Sequence, residues 1–285
     1  MRNVQYVFQA DTIKLGKSDV LQALPIKSVE QVSPFLLLHH FKKLNIPAGE
    51  VDFAVSPHPH RGFEPITFLF EGELHHRDSR GNEGFLKSGD VQWMTAGMGI
   101  VHSEEATKEF IESGGNLQLV QLWVNLPKKN KMATPNYQDI KSETIPVYIS
   151  DDEDLKIRVI AGEWNELKGV AKTFTPVNAL HVILNKDKYD EIKMPAGHNL
   201  MLYVLNGFVE INGKHHAKEG FIAIFENEGE FISVKGLENS DFLLLSGTPI
   251  DEPVASYGPF VMNNQTELME AVRDYQAGKM GILTY

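Results

Sequence analysis

The chain has 285 residues, a formal net charge of −11, 42% hydrophobic residues and no cysteine. That length supplies one large or two ordinary domains with a full apolar core. The acidic balance argues against direct contact with a nucleic-acid backbone, which needs a basic face, and the lack of cysteine excludes disulfides and thiolate metal sites.

The opening segment MRNVQYVFQADT has no charged stretch followed by an apolar one, so no secretory signal is read there. The longest apolar runs, such as 35–38 and 242–245, are too short to span a bilayer. A soluble, cytoplasmic protein without a membrane partner is expected. Short β-prone runs at 66–70, 91–94, 117–124, 180–184, 200–205, 221–225 and 242–245 are separated by Gly, Asn, Asp and Pro. This pattern predicts an all-β sandwich or barrel architecture. Asn212-Gly213 predicts a two-residue hairpin turn.

The stretch 127–146 is polar, carries three prolines and lacks a strand pattern. It suggests a linker at 131–146 between an amino-terminal domain, 1–130, and a carboxyl-terminal domain, 147–285. One helix is signalled near the end. Asn264 caps it, Glu267 completes a capping box, Leu268, Val272 and Tyr275 follow at helical spacing, and Gly278 stops it.

Two motifs carry chemistry. SPHPHRGFE holds His58 and His60, and GIVHSEE holds His102 and Glu104. Each pair is spaced by two, so on a strand both members point to one face. A Gly-bearing turn, Thr95 to Gly99, precedes the second pair. Three imidazoles and a carboxylate converging on one interior make a nitrogen/oxygen site suited to iron, nickel, copper or zinc.

The two halves can be aligned by their turns, Gly72 on Gly207 and Gly89 on Gly220. His58 and His60 then fall on Lys193 and Pro195, and His102 and Glu104 fall on Ser233 and Lys235. Lysines repel a divalent ion, so one metal per chain is expected, in the amino-terminal domain. Of the remaining candidates, Trp93, Met94, Phe53 and Phe63 are read as core. His75, His76, His215 and His216 are read as facing water. Arg61 is a candidate partner for a carboxylate, and His39 and His40 are left between a structural and a substrate-facing role.

These residues resemble a known family. The two pairs fit the two motifs of the cupin superfamily of small jelly-roll β-barrels. HPHRGFEPITFLFEGE, HRDSRGN, GDVQWMTAGMGIVHSEE and the closing EPVASYGPFVMNNQTELMEAVRDYQAGKMG are similar to pirins. The resemblance implies two cupin barrels in tandem with a short carboxyl-terminal helix. It implies one metal held by His58, His60, His102 and Glu104, with iron(II) first and nickel, cobalt, manganese, copper or zinc as alternatives. Glu64 matches a ligand position of other cupins that pirins do not use. Two activities are implied: a quercetin 2,3-dioxygenase that opens a flavonol with O2 and releases carbon monoxide, and a metal-dependent regulator that binds a protein partner. For the first, Glu104 is expected to double as ligand and base.

Overall fold

The computed structural model describes residues 1–16 and 18–283. The chain forms two compact units, and each is discontinuous. One comprises Met1–His40 with Glu143–Pro249, the other Phe41–Ser142 with Ile250–Tyr285. The predicted boundaries treat each barrel as one continuous stretch. The difference arises because sheet pairing ignores distance along the chain. Val4–Gln9 pairs antiparallel with Phe221–Phe225, aligning Phe8 with Ile222. Within the predicted linker, Asn136–Ile140 forms a strand against Val91–Thr95.

The unit containing the histidine pairs has two large sheets among the described residues. One runs in the order Ala54–His60, Ile100–Ala106, Glu73–Asp78, Glu83–Lys87. The other carries Asn136–Ile140, Val91–Thr95, Phe63–Glu71 and Gly115–Asn125, in that order. Trp93, Met94 and Phe63 are completely buried in this unit, as expected of core residues. Phe53 is half-buried and packs edge-on against Phe41. Alternation sets which side chains face inward. On Glu73–Asp78, Leu74, His76 and Asp78 are buried while Glu73, His75 and Arg77 are half-exposed.

In the second unit a seven-stranded sheet, from Val4–Gln9 at one edge to Val147–Ile149 at the other, accompanies a four-stranded sheet. Leu155, Ile157, Leu180, Leu202, Val209, Ile232 and Leu244 form its apolar core. The hairpin at Asn212-Gly213 pairs Ile211 with His215, so its loop has three residues, one more than predicted. The strand Tyr189–Lys193 sets Glu191 opposite Ser233, where the unit with the histidine pairs sets His58 opposite His102. The turn-based alignment of the halves is therefore offset by two residues on this strand, and Glu191 and Lys193 take the places assigned to Lys193 and Pro195.

The predicted helix spans Gln265–Gln276, with the Asn264 side chain accepting from the Glu267 N–H. Leu268 and Ala271 are its buried residues, whereas Tyr275 is exposed. A second, six-residue helix at Lys108–Ser113, capped by Thr107, has no counterpart in the sequence reading. Among the described residues no helix is long and apolar enough to cross a membrane.

Candidate metal centre

The strand Ala54–His60 reaches its neighbour through an irregular register. His102 pairs with His58, but Glu104 pairs with Val55, so Ser56 and Pro57 form a bulge. Proline fits there because a bulge residue owes no ladder hydrogen bond. The bulge turns His58 back on its own chain, where Nδ1–H donates to the Ser56 carbonyl at 2.9 Å. That bond places the proton on Nδ1 and leaves the Nε2 lone pair free to bind a cation.

The three predicted histidines converge. His58 Nε2 lies 3.0 Å from His60 Nε2 and 2.8 Å from His102 Nε2. Among the described residues, His58, His60 and His102 form a cluster of metal-binding type, with ligand atoms within 4.8 Å of one another. Glu104 lies outside that cluster. Its Oε1 accepts from Thr67 Oγ1 at 2.9 Å, and Thr67 in turn accepts from Gln121 Nε2 at 3.1 Å.

A divalent metal ion fits this donor set. Imidazole nitrogens about 2.1 Å from one ion lie about 3.0 Å apart at a right angle and about 3.4 Å apart in a tetrahedron. The observed separations of 2.8 and 3.0 Å match the right angle. A cation also relieves the facing of lone pairs. Burial pushes the His60 and His102 pKa values well below 6.5, and the neighbouring His58 adds to the effect. Both rings are thereby held neutral, the form that binds metal. Burial raises the Glu104 pKa, while the charge of His58 and the Thr67 hydrogen bond work against it.

The surroundings are closely packed. His60 meets Phe63 and Trp123 edge-on, at centroid distances of 5.1 and 5.4 Å, and Phe63 lies against Trp123 at 4.2 Å. Glu64 is buried and accepts from Thr95 Oγ1 at 2.7 Å. Lys131, only 1% exposed, donates to the Gly62 carbonyl at 2.9 Å, Asn125 Oδ1 at 2.7 Å and the Val261 carbonyl at 3.0 Å. Burial lowers its pKa to about 8, against the pull of Glu252 and Glu267. Arg61 pairs with Asp274 of the carboxyl-terminal helix rather than with a carboxylate beside the metal ligands. The turn before His102 needs its glycine, because a Cβ on Gly97 would collide with the Ala133 carbonyl.

His76 corrects the sequence reading. It is 1% exposed rather than water-facing, and its Nε2 lies 2.8 Å from His102 Nδ1. The signal was available in the alternation Leu74, His76, Asp78, which puts all three on one face. His75 is half-exposed, stacks on Phe85 and bonds Glu83. His216 is exposed, and His215 half-exposed. His40 is buried against the Tyr203 hydroxyl at 3.0 Å and His39 bonds Gln22, so both are structural.

Comparison with known proteins agrees with this architecture. A Pseudomonas aeruginosa protein, provisionally named a quercetin 2,3-dioxygenase, is 38% identical over 250 residues, covering 88% of this chain and 87% of its own length. The crystal structure of a quercetin 2,3-dioxygenase from Acinetobacter baumannii shares 40% identity with a TM-score of 0.94, over 100% of both chains. A bacterial pirin from Escherichia coli, solved in complex with nickel(II), shares the fold at 21% identity and a TM-score of 0.68, over 86% of this chain and 98% of its own. Residues 17–124 match the pirin profile and residues 179–281 the pirin C-terminal cupin domain, and with these matches the chain belongs to the pirin family.

Proposed function

We propose that this protein is a metal-dependent dioxygenase of the quercetin 2,3-dioxygenase type, opening a flavonol ring with O2 and releasing carbon monoxide. The observation that carries this reading is the convergence of half-buried His58 with buried His60 and His102. The name of the Acinetobacter baumannii structure supports it. Iron(II) is the proposed metal. When bound by three neutral imidazoles and one carboxylate, a divalent ion keeps a net charge of about +1 and activates an anionic substrate oxygen and O2.

The residues have separate tasks. His58, His60 and His102 hold the metal through Nε2. Glu104 is the proposed fourth ligand and the base that removes the flavonol hydroxyl proton, at Oε2, since Thr67 holds Oε1. Trp123, half-exposed beside His60, offers an aromatic wall for a planar substrate. The test is aerobic turnover of iron-loaded protein with quercetin, following loss of flavonol absorbance and release of carbon monoxide. Inactivity with iron, nickel, cobalt, manganese, copper and zinc alike would overturn the proposal.

A further inference from the structure

His76 contributes no ligand atom to the cluster, yet it is buried and fixed on two sides. Its Nε2 stands 2.8 Å from His102 Nδ1. Its ring stacks on Tyr137, with centroids 4.9 Å apart and planes 20° from parallel. Tyr137 is itself held by a 3.0 Å bond from Gln92 Nε2 to its hydroxyl. Gly84 leaves room for that hydroxyl, since a Cβ there would collide with it. Four other strands, those carrying His102, Tyr137, Gln92 and Gly84, thus set the plane of one imidazole.

The direction of the His76–His102 bond follows from the position of the cluster. His102 Nε2 faces His58 Nε2 at 2.8 Å, so a lone pair is needed there if the cluster holds a cation. In neutral imidazole the proton then sits on Nδ1. His102 Nδ1–H therefore donates and His76 Nε2 accepts. The reverse arrangement, with His76 donating, forces the His102 proton onto Nε2 and blocks the lone pair.

We infer that His76 is a positioning residue that fixes the tautomer and ring plane of His102 for metal binding. The inference rests on the metal reading proposed above. It also specifies an uncharged acceptor where metal-bound histidines often meet a carboxylate. An imidazole orients His102 without adding negative charge, so the bound metal keeps its attraction for an anionic substrate.

The test is a competition titration of nickel(II) against a chromogenic chelator, with wild type, His76→Gln and His76→Leu, each checked for folding by circular dichroism. Glutamine offers an acceptor oxygen at nearly the same reach, and leucine offers none. His76→Leu is expected to bind nickel about 10- to 100-fold more weakly, the usual loss when such an outer partner is removed, while His76→Gln stays close to wild type. Wild-type affinity in folded His76→Leu overturns the inference, and so does an equal loss in both variants, which would mean that only packing matters. Failure of wild type to bind nickel, iron(II), cobalt, manganese, copper and zinc alike removes the metal reading and this inference with it. Should His76→Leu not fold, the imidazole nitrogen NMR spectrum of zinc-loaded wild type decides. A hydrogen-bond coupling from His102 Nδ1–H to His76 Nε2 supports the inference, and its absence overturns it.

Discussion

Arg61 and Asp274 stand 213 residues apart in sequence and meet at 3.0 Å. The same guanidinium donates through Nε to the Met98 carbonyl at 2.7 Å. One side chain, next to His60, thus ties together the end of the first histidine strand, the turn before His102 and the carboxyl-terminal helix. Arg61 is 4% exposed, so removing its partners leaves a charge poorly hydrated. Arg61→Ala removes that charge together with its bonds to the Met98 carbonyl and Asp274, and should lower stability by about 2 kcal/mol. Asp274 is more exposed, and Asp274→Asn should cost about 1 kcal/mol. Urea unfolding measures both, and an unchanged midpoint for Arg61→Ala would contradict this account.

Acid should destabilise the metal-free protein. The folded chain holds His60 and His102 well below their ordinary 6.5, chiefly by burial. Burial also lowers His76, to about 3. The unfolded chain therefore takes up these protons first. The associated stability is complete above about pH 6.5 and is lost as pH falls toward the folded-state values, by up to about 1.4 kcal/mol per pH unit for each histidine. Glu104, with its pKa raised above 4.5, acts in the opposite direction as it protonates. Thermal melts of chelator-treated protein should drop between pH 6.5 and 5, with a shallower slope in His76→Gln. A flat profile across that window would count against the buried neutral histidines.

Gly62→Ala should be severe. Gly62 has φ of +89°, and a Cβ there would run into the Val261 carbonyl. The Gly62 carbonyl is also one of the three acceptors of the buried Lys131 ammonium. Backbone strain and displacement together should exceed about 2 kcal/mol. Nickel affinity should fall as well, since His60 is two residues away. A crystal structure of the variant with His60 undisturbed would separate the two effects.

Glu104→Gln tests the proposed base. The amide keeps the size of the side chain and can still accept from Thr67, but it cannot take a proton. Turnover of quercetin should fall by about 10²- to 10⁴-fold, the range for general-base catalysis, with part of the metal retained. Full metal occupancy with unchanged turnover, measured by elemental analysis and steady-state kinetics, would remove Glu104 from that role.

Local chemistry was legible in the sequence. The His58/His60 and His102/Glu104 spacings follow from the two-residue period of a strand. The Asn264 cap and its helix follow from backbone N–H groups that need an acceptor. The β class follows from short apolar runs broken at turns. Only the tertiary structure decided what depends on distant strands meeting. It assigned Val4–Gln9 to the unit that also holds Phe221–Phe225, gave Arg61 its partner in Asp274, and surrounded Lys131 with three oxygens. It also turned His76 inward onto His102. The reason is that a strand's period specifies two faces but not which neighbour each face will meet; register and pairing settle that only when the sheet closes.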